Sequence, residues 1–256
     1  MRTRNKQQHV GPSKSSITPP RLSVVIPAHN EEKLIAGCLK SILRNPPPEL
    51  KEIIVVDNAS TDHTAEIASM FPMVRVVAEP DKGLTKARQK GLEEAKGELI
   101  AYLDADTRIP EGWFETIRTT FSSHKEVVCL SGPYRYYDLP PFKKFLAEAG
   151  WKIFAPLTYR IVGYMVLGGN FVARKWALEK MGGFDKSIAF YGEDTNIAWR
   201  LHQYGKVLFR MDFYVMSSGR RLLHEGLLKT YVVYSLNYLW GVWFRKPLTK
   251  RYRDIR

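Results

Sequence analysis

A chain of 256 residues, 45% hydrophobic and 25% charged, has an ordinary globular composition and can bury a sizeable core, which excludes disorder of the whole. The formal net charge of +13 invites a nucleic-acid reading, but its distribution argues against one. Residues 1–21 carry Arg2, Arg4, Lys6, Lys14 and Arg21 without an acid, and residues 245–256 carry Arg245, Lys246, Lys250, Arg251, Arg253 and Arg256 against Asp254, so each tail holds +5 and the body only +3. A near-neutral body with basic ends fits an enzyme whose tails meet an acidic surface, such as anionic headgroups, or tails that are simply solvated. No nucleic-acid partner is expected. Cys38 and Cys129 make neither a metal-ligand spacing nor a disulfide framework, so a reducing, cytoplasmic setting is the simpler expectation. No apolar run follows the basic N-terminus, so no secretory signal is read there.

Residues 1–21, with Gly11, Pro12, Pro19 and Pro20 among polar residues, read as a flexible basic leader. Leu22 to Ile26 is a β-branched run ended by Pro27, a buried strand. Leu34, Ile35, Cys38, Leu39, Ile42 and Leu43 recur at helical spacing, which predicts a helix over 31–45 stopped by Pro46, Pro47 and Pro48. Ile53 to Val56 predicts a second strand ending at Asp57, and Thr61 and Asp62 cap a helix running to about Met70. Val74 to Ala78 is a third strand, 84–96 a basic helix closed by Gly97, and Glu98 to Leu103 a fourth strand ending at Asp104. Pro110 and Glu111 open another helix, and Val127 to Leu130 is a further strand. Residues 141–167 are aromatic and apolar, 193–204 read as a helix, 206–216 as one or two strands, and 227–244 are aromatic and apolar again. This alternation predicts an α/β fold, a mostly parallel sheet flanked by helices, with ligands beyond the carboxyl ends of its strands.

Three of those strand ends are polar: residues 27–31, 57–62 and 104–106. Asp104 and Asp106 put two carboxylates on one turn, a donor set for Mg2+ or Mn2+ that neutralises a pyrophosphate leaving group; the same triplet also serves simply to form a turn. Asp57 either accepts hydrogen bonds from a base or ribose or shapes the turn before Asn58 and Ser60. Glu193 and Asp194 either complement a helix dipole in its first turn or include a general base.

Taken in order, Val24 to Glu32, Ile54 to Asp62, Gly83 to Arg88, Tyr102 to Asp106 and Gly192 to Asp194 resemble the family 2 glycosyltransferases, over about residues 22–218. The resemblance implies a GT-A fold, a Rossmann-like nucleotide half joined to an acceptor half. It implies inverting transfer of a sugar from a UDP- or GDP-linked donor to a glycan or lipid-linked acceptor, in cell-surface glycan or glycolipid synthesis. It places Pro27, Ala28, Asn30 and Glu31 against the base and ribose, Asp57 on the base, and Lys86 and Arg88 near base and phosphates. Asp104 and Asp106 hold the metal, Asp106 the more directly. Gly168, Gly169 and Asn170 line the donor sugar, and Asp194 is the base with Glu193 its neighbour. The Gln-x-x-Arg-Trp signature of processive synthases is absent; Arg220, Arg221 and His224 stand in that region, the arginines as candidates for the diphosphate and His224 for the metal.

Residues 219–256 form a helical, aromatic and basic C-terminal segment. Within it, 231–244 is too short to span a bilayer but rich in Tyr and Trp and followed by Arg245-Lys246. An interfacial helix on the cytoplasmic membrane face is one reading, a core or dimer helix the other. Competing functions are a sugar nucleotidyltransferase, which the Pro27 to Glu31 loop argues against for want of a Gly-rich basic loop, and a catalytically inactive nucleotide- or lipid-surface-binding relative.

Overall fold

The structure is a computed structural model that describes residues 19–188, 190–246 and 248–249. The leader's charges from Arg2 to Lys14, and the tail's from Lys250 to Arg256, lie outside the described residues.

Seven strands make the main sheet. In chain order they are β1 (Leu22–Ala28), β2 (Leu50–Asp57), β3 (Val74–Ala78), β4 (Leu99–Leu103), then β6 (Val127–Ser131), β8 (Asn170–Arg174) and β9 (Lys206–Phe209). Their order across the sheet is β3-β2-β1-β4-β8-β6-β9. All run parallel except β8, which pairs antiparallel with both β4 and β6. A second sheet of three short strands, β5 (Thr107–Arg108), β7 (Tyr134–Tyr136) and β10 (Val215–Ser217), has β10 at its centre.

The helices are α1 (Ile35–Ile42), α2 (Thr64–Ser69), α3 (Leu84–Glu94), α4 (Trp113–Ser123), α5 (Pro141–Val162), α6 (Lys175–Lys180), α7 (Glu193–His202), α8 (Arg220–Glu225) and α9 (Leu227–Phe244). The strands read as unbroken apolar runs because both faces of the sheet are covered. Val24, Ile26, Ile53, Val55 and Ala101 point to one face and pack under α1, α2 and α4. Val25, Ile54, Val56, Ile100 and Tyr102 alternate to the other and pack under α3, α6 and α7. Cys38 and Cys129 are buried free thiols in these two layers, and burial pushes the Cys38 thiol up to about 12.

The elements expected from the sequence are present, with shifted ends. Residues 31–34 form a turn instead of helix: Leu34 and Ile35 both donate to the Glu31 carbonyl at 2.9 Å, and the Glu31 and Glu32 amides are bonded to the next loop. The helix expected from Pro110 begins at Trp113, after Gly112 in the left-handed region. The small sheet and the reversal at β8 correct a simple alternation. They depend on pairings between distant segments, such as β10 with β5, which leave no local period.

Candidate active site

The loops leaving β1, β2 and β4 share the edge at which the parallel strands end. The first two are zipped together. Asn58 N donates to the Ala28 carbonyl at 2.7 Å, Asn30 N to Ser60 Oγ at 3.0 Å and Thr61 N to Asn30 Oδ1 at 2.8 Å. Asn30 adopts φ 52°, a left-handed conformation that asparagine tolerates. The Asn58 amide extends the seam to the loop after β3, donating to the Glu79 and Asp81 carbonyls and accepting from Gly83 N. Asp57 accepts from Ser60 N at 3.3 Å and stays partly exposed, so it shapes the turn and still offers a carboxylate to the edge. Pro27 and Ala28 are buried at the end of β1 and contribute backbone, not side-chain chemistry.

The Asp104-Ala105-Asp106 turn is held through its carbonyls. Thr107 donates its Oγ1–H and N–H to Asp104 O at 2.7 and 3.0 Å, and the Tyr137 hydroxyl donates to Asp106 O at 3.1 Å. Both carboxylates face arginines. Arg88 Nη2 lies 3.6 Å from Asp104 Oδ1, and Arg88 Nη1 lies 2.5 Å from Glu193 Oε2. Arg220 Nη2 lies 3.2 Å from Asp106 Oδ2, and the same guanidinium is bonded to both oxygens of Glu31. One arginine thus joins the turn to the start of α7, and the other joins it to the first loop.

Gly168 and Gly169 make the Arg88 bridge sterically possible. A Cβ on Gly168 would overlap the Glu193 carboxylate and stand 2.6 Å from an Arg88 terminal nitrogen. A Cβ on Gly169 would overlap the Asp104 carboxylate and stand 2.7 Å from the Tyr134 hydroxyl. Gly169 N instead donates to that hydroxyl at 2.9 Å.

Arg88 is only 1% exposed. Burial by itself would lower its affinity for a proton, and the charges of Glu193 and Asp104 more than offset this, so it stays cationic. Burial pushes the Glu193 carboxyl up, against the pull of Arg88. Asp194 is half-buried at the first turn of α7, its Oδ1 accepting from Thr195 N at 2.8 Å. Burial raises its pKa too, opposed by that hydrogen bond and by Arg88. Tyr234 and Tyr238 of α9 and Tyr134 are near enough to feel its charge, although burial is the larger reason their hydroxyls are raised.

Several of the side chains named from the sequence have partners within the protein. The Arg88 guanidinium is enclosed between the carboxylates of Asp104 and Glu193. Glu193 is engaged by Arg88 in the same bridge. Glu31 is 4% exposed and its carboxylate is held by Arg220. Lys86 lies on the partly exposed side of α3 and pairs with Asp81 at 3.2 Å. The Asn170 side chain is fully buried, donating to the Gly132 and Phe213 carbonyls and accepting from Trp113 Nε1; it anchors β8 and does not reach the cleft. Arg221 pairs with Glu225 at 3.3 Å and lies over the Phe190 ring, while Arg220 meets Asp106. His224 is exposed on α8, and among the described residues no three His, Cys, Asp or Glu side chains come together as a ligand cluster, so it does not join Asp104 and Asp106. Tyr134, which sequence reading missed, sits between Gly169, Asp104 and Trp151; a tyrosine after Gly132-Pro133 gives no local sign of that role.

The donor set nevertheless fits a hard divalent cation. Two carboxylates on one braced turn supply oxygens, and such ions commonly complete their shell with substrate phosphates and water.

The sequence matches the family described as Glycosyl transferase family 2 over residues 23–182, well over half of the chain. The chain belongs to that family. It is 30% identical over 209 residues to the probable glycosyltransferase YdaM of Bacillus subtilis (strain 168), covering 73% of this chain and 47% of that protein. The chain spans less than half the length of the curated relatives it matches most strongly. Among solved structures it resembles the mannosyltransferase PcManGT of Pyrobaculum calidifontis in complex with GDP-Man and Mn2+, with a TM-score of 0.66 and 20% identity over 90% of this chain and 64% of that one. It also resembles glucosyl-3-phosphoglycerate synthase of Mycobacterium tuberculosis in complex with Mn2+, UDP and phosphoglyceric acid, with a TM-score of 0.63 and 20% identity over 88% of this chain and 78% of that one. The α/β domain is therefore a GT-A fold, as the sequence resemblance implied.

Proposed function

We propose that the domain transfers a sugar from a nucleoside-diphosphate sugar to an acceptor hydroxyl, with inversion at the anomeric carbon. The observation that carries this reading is the Asp104–Arg88–Glu193 bridge, which sets the half-buried carboxyl of Asp194 at a fixed place relative to the Asp104–Asp106 turn. A general base and a diphosphate site have to be held in register for one in-line displacement, and the bridge does so through a buried side chain with little freedom.

Asp194 takes the proton from the attacking hydroxyl; its raised pKa suits a base better than an ordinary aspartate. Glu193 and Arg88 position it without touching substrate. Asp57 and the zipped loops after β1 and β2 take the base and ribose, and Gly168 and Gly169 let the Glu193 and Asp104 carboxylates close in beside the donor sugar. Asp104 and Asp106 hold a divalent cation, Mg2+ or Mn2+. When bound, such an ion would neutralise charge on the departing diphosphate. Arg220, beside Asp106, offers the diphosphate a cation at the same turn. The support for a nucleotide-sugar donor and a metal is the family together with neighbours solved with GDP-Man, UDP and Mn2+. The acceptor is a glycan or a lipid-linked sugar, approached past Tyr234 and Tyr238.

Calorimetric titration of UDP and GDP, with and without Mn2+, tests the reading on wild type and on Asp104→Ala/Asp106→Ala. One nucleotide is expected to bind in a metal-dependent manner and to lose that dependence in the double variant. Absence of binding by either nucleotide under all metal conditions would sink the proposal and favour an inactive relative.

A further inference from the structure

The glycosyl-transfer reading makes no use of the outer side of α5 and α9. α5 buries Ala147 and Ala155 and turns large apolar groups outward, with Phe142 72%, Phe145 68%, Leu157 56% and Ile161 74% exposed. α9 packs against it: the Tyr231 hydroxyl donates to the Ala147 carbonyl at 2.8 Å, and Tyr238 joins Trp151 and Ala155 in one cluster. α9 in turn exposes Leu239 and, at 80%, Trp243. Two adjacent helices thus leave uncovered the kind of aromatic and aliphatic side chains that a soluble surface scatters singly.

The charges around this face are of one sign. α5 carries Lys143, Lys144, Lys152 and Arg160 against the single acid Glu148, and α9 carries Lys229 and no acid before running into Arg245 and Lys246. We infer that α5 and α9 together form a docking surface for an anionic lipid bilayer. Apolar side chains enter the headgroup region, the lysines and arginines meet the lipid charge, and Trp243 sits at the interface that tryptophan favours. Among the described residues no helix is long and apolar enough to cross a membrane, so these two lie along the surface. The same charge pattern disfavours a second copy as the occupant, since pairing this face with itself would bring two cationic surfaces together. The inference does not depend on the catalytic reading, because none of the exposed apolar and basic side chains it uses belongs to the candidate active site.

Flotation of the full chain with phosphatidylcholine vesicles, and with vesicles of phosphatidylcholine and phosphatidylglycerol, provides the test. Wild type is expected to float with the phosphatidylglycerol vesicles and to be released as salt rises. Phe145→Ser/Leu157→Ser/Trp243→Ser should lower that partitioning by about tenfold or more, with thermal melting unchanged because all three side chains are exposed. Lys143→Glu/Lys152→Glu should weaken binding to the anionic vesicles, and it carries the test if the triple variant fails to fold. Wild type that ignores both vesicle types overturns the inference. So does a triple variant that floats like wild type, or a wild-type dimer that the triple substitution dissociates without any vesicle binding.

Discussion

The first half of the domain, to the end of β6, and the second half build their parts of the site by different means. In the first, each polar loop follows its own strand, and the loops are tied by backbone and short side chains: Asn30 to Ser60 and Thr61, Asn58 to the β3 loop. In the second, the key contacts are charged and long-range. Glu193 reaches back to Arg88, and Arg220 reaches across 189 positions to Glu31. The first half's loops are therefore held by the sheet itself, and the second half is tied to them by two arginines. A loop scaffold of neutral hydrogen bonds keeps its shape whatever the ligand. Buried and half-buried ion pairs keep theirs only while both partners remain charged and in place.

The sharpest way to separate the two halves is Asp194→Asn. Turnover should fall by roughly 10²- to 10⁴-fold, the usual contribution of a positioned base, while nucleotide affinity measured calorimetrically stays at the wild-type value. On the proposed mechanism only the carboxylate form of Asp194 accepts the proton, and its pKa is raised by burial. kcat/KM should therefore fall as pH drops through a midpoint above that of an ordinary aspartate, a limb absent from the residual activity of the variant. Equal loss of nucleotide binding would mean that Asp194 belongs to the donor side.

Breaking the link itself should cost stability. Arg88→Met leaves Glu193 buried without its cation, and removal of one partner from such a pair costs about 3–5 kcal/mol. Urea unfolding should show this loss shrinking at acid pH: once the Arg88 charge is gone, the Glu193 carboxyl is raised further, and protonating it in the folded state relieves the uncompensated charge. A loss below about 1 kcal/mol would show that Arg88 does not hold the halves together. The smallest effect is expected at Lys86, whose ion pair with Asp81 is largely solvated. Lys86→Ala should change the melting free energy by about 0.5 kcal/mol or less and leave nucleotide affinity nearly unaltered. A clear loss of affinity would restore Lys86 to the phosphates.

The α/β class, nine of the ten helices and strands in the first half, and the placing of Asp57, Asp104 and Asp106 at one edge were legible in the sequence. Each depends on a local signal: β-branched runs of five or so residues, a polar cluster after each run, and the rule that ligands gather at the carboxyl ends of parallel strands. Asp194 was legible only through the family resemblance, since acids in a first helical turn are common. Arg88 was singled out from the sequence but its protein partners were not, because a basic residue on a helix carries no sign of which carboxylate encloses it.

What the sequence determined by itself was thus the order of strands and helices, the chemistry at the ends of β1, β2 and β4, and membership of a family. Those follow from spacing along the chain. What only the tertiary structure decided was which charges meet. Arg88 is taken by Asp104 and Glu193, Glu31 by Arg220, and Asn170 by the core, while the apolar faces of α5 and α9 are left side by side and uncovered. The physical reason is that pairing energy depends on distance and on removal from water, and both are set when segments far apart in the chain pack together.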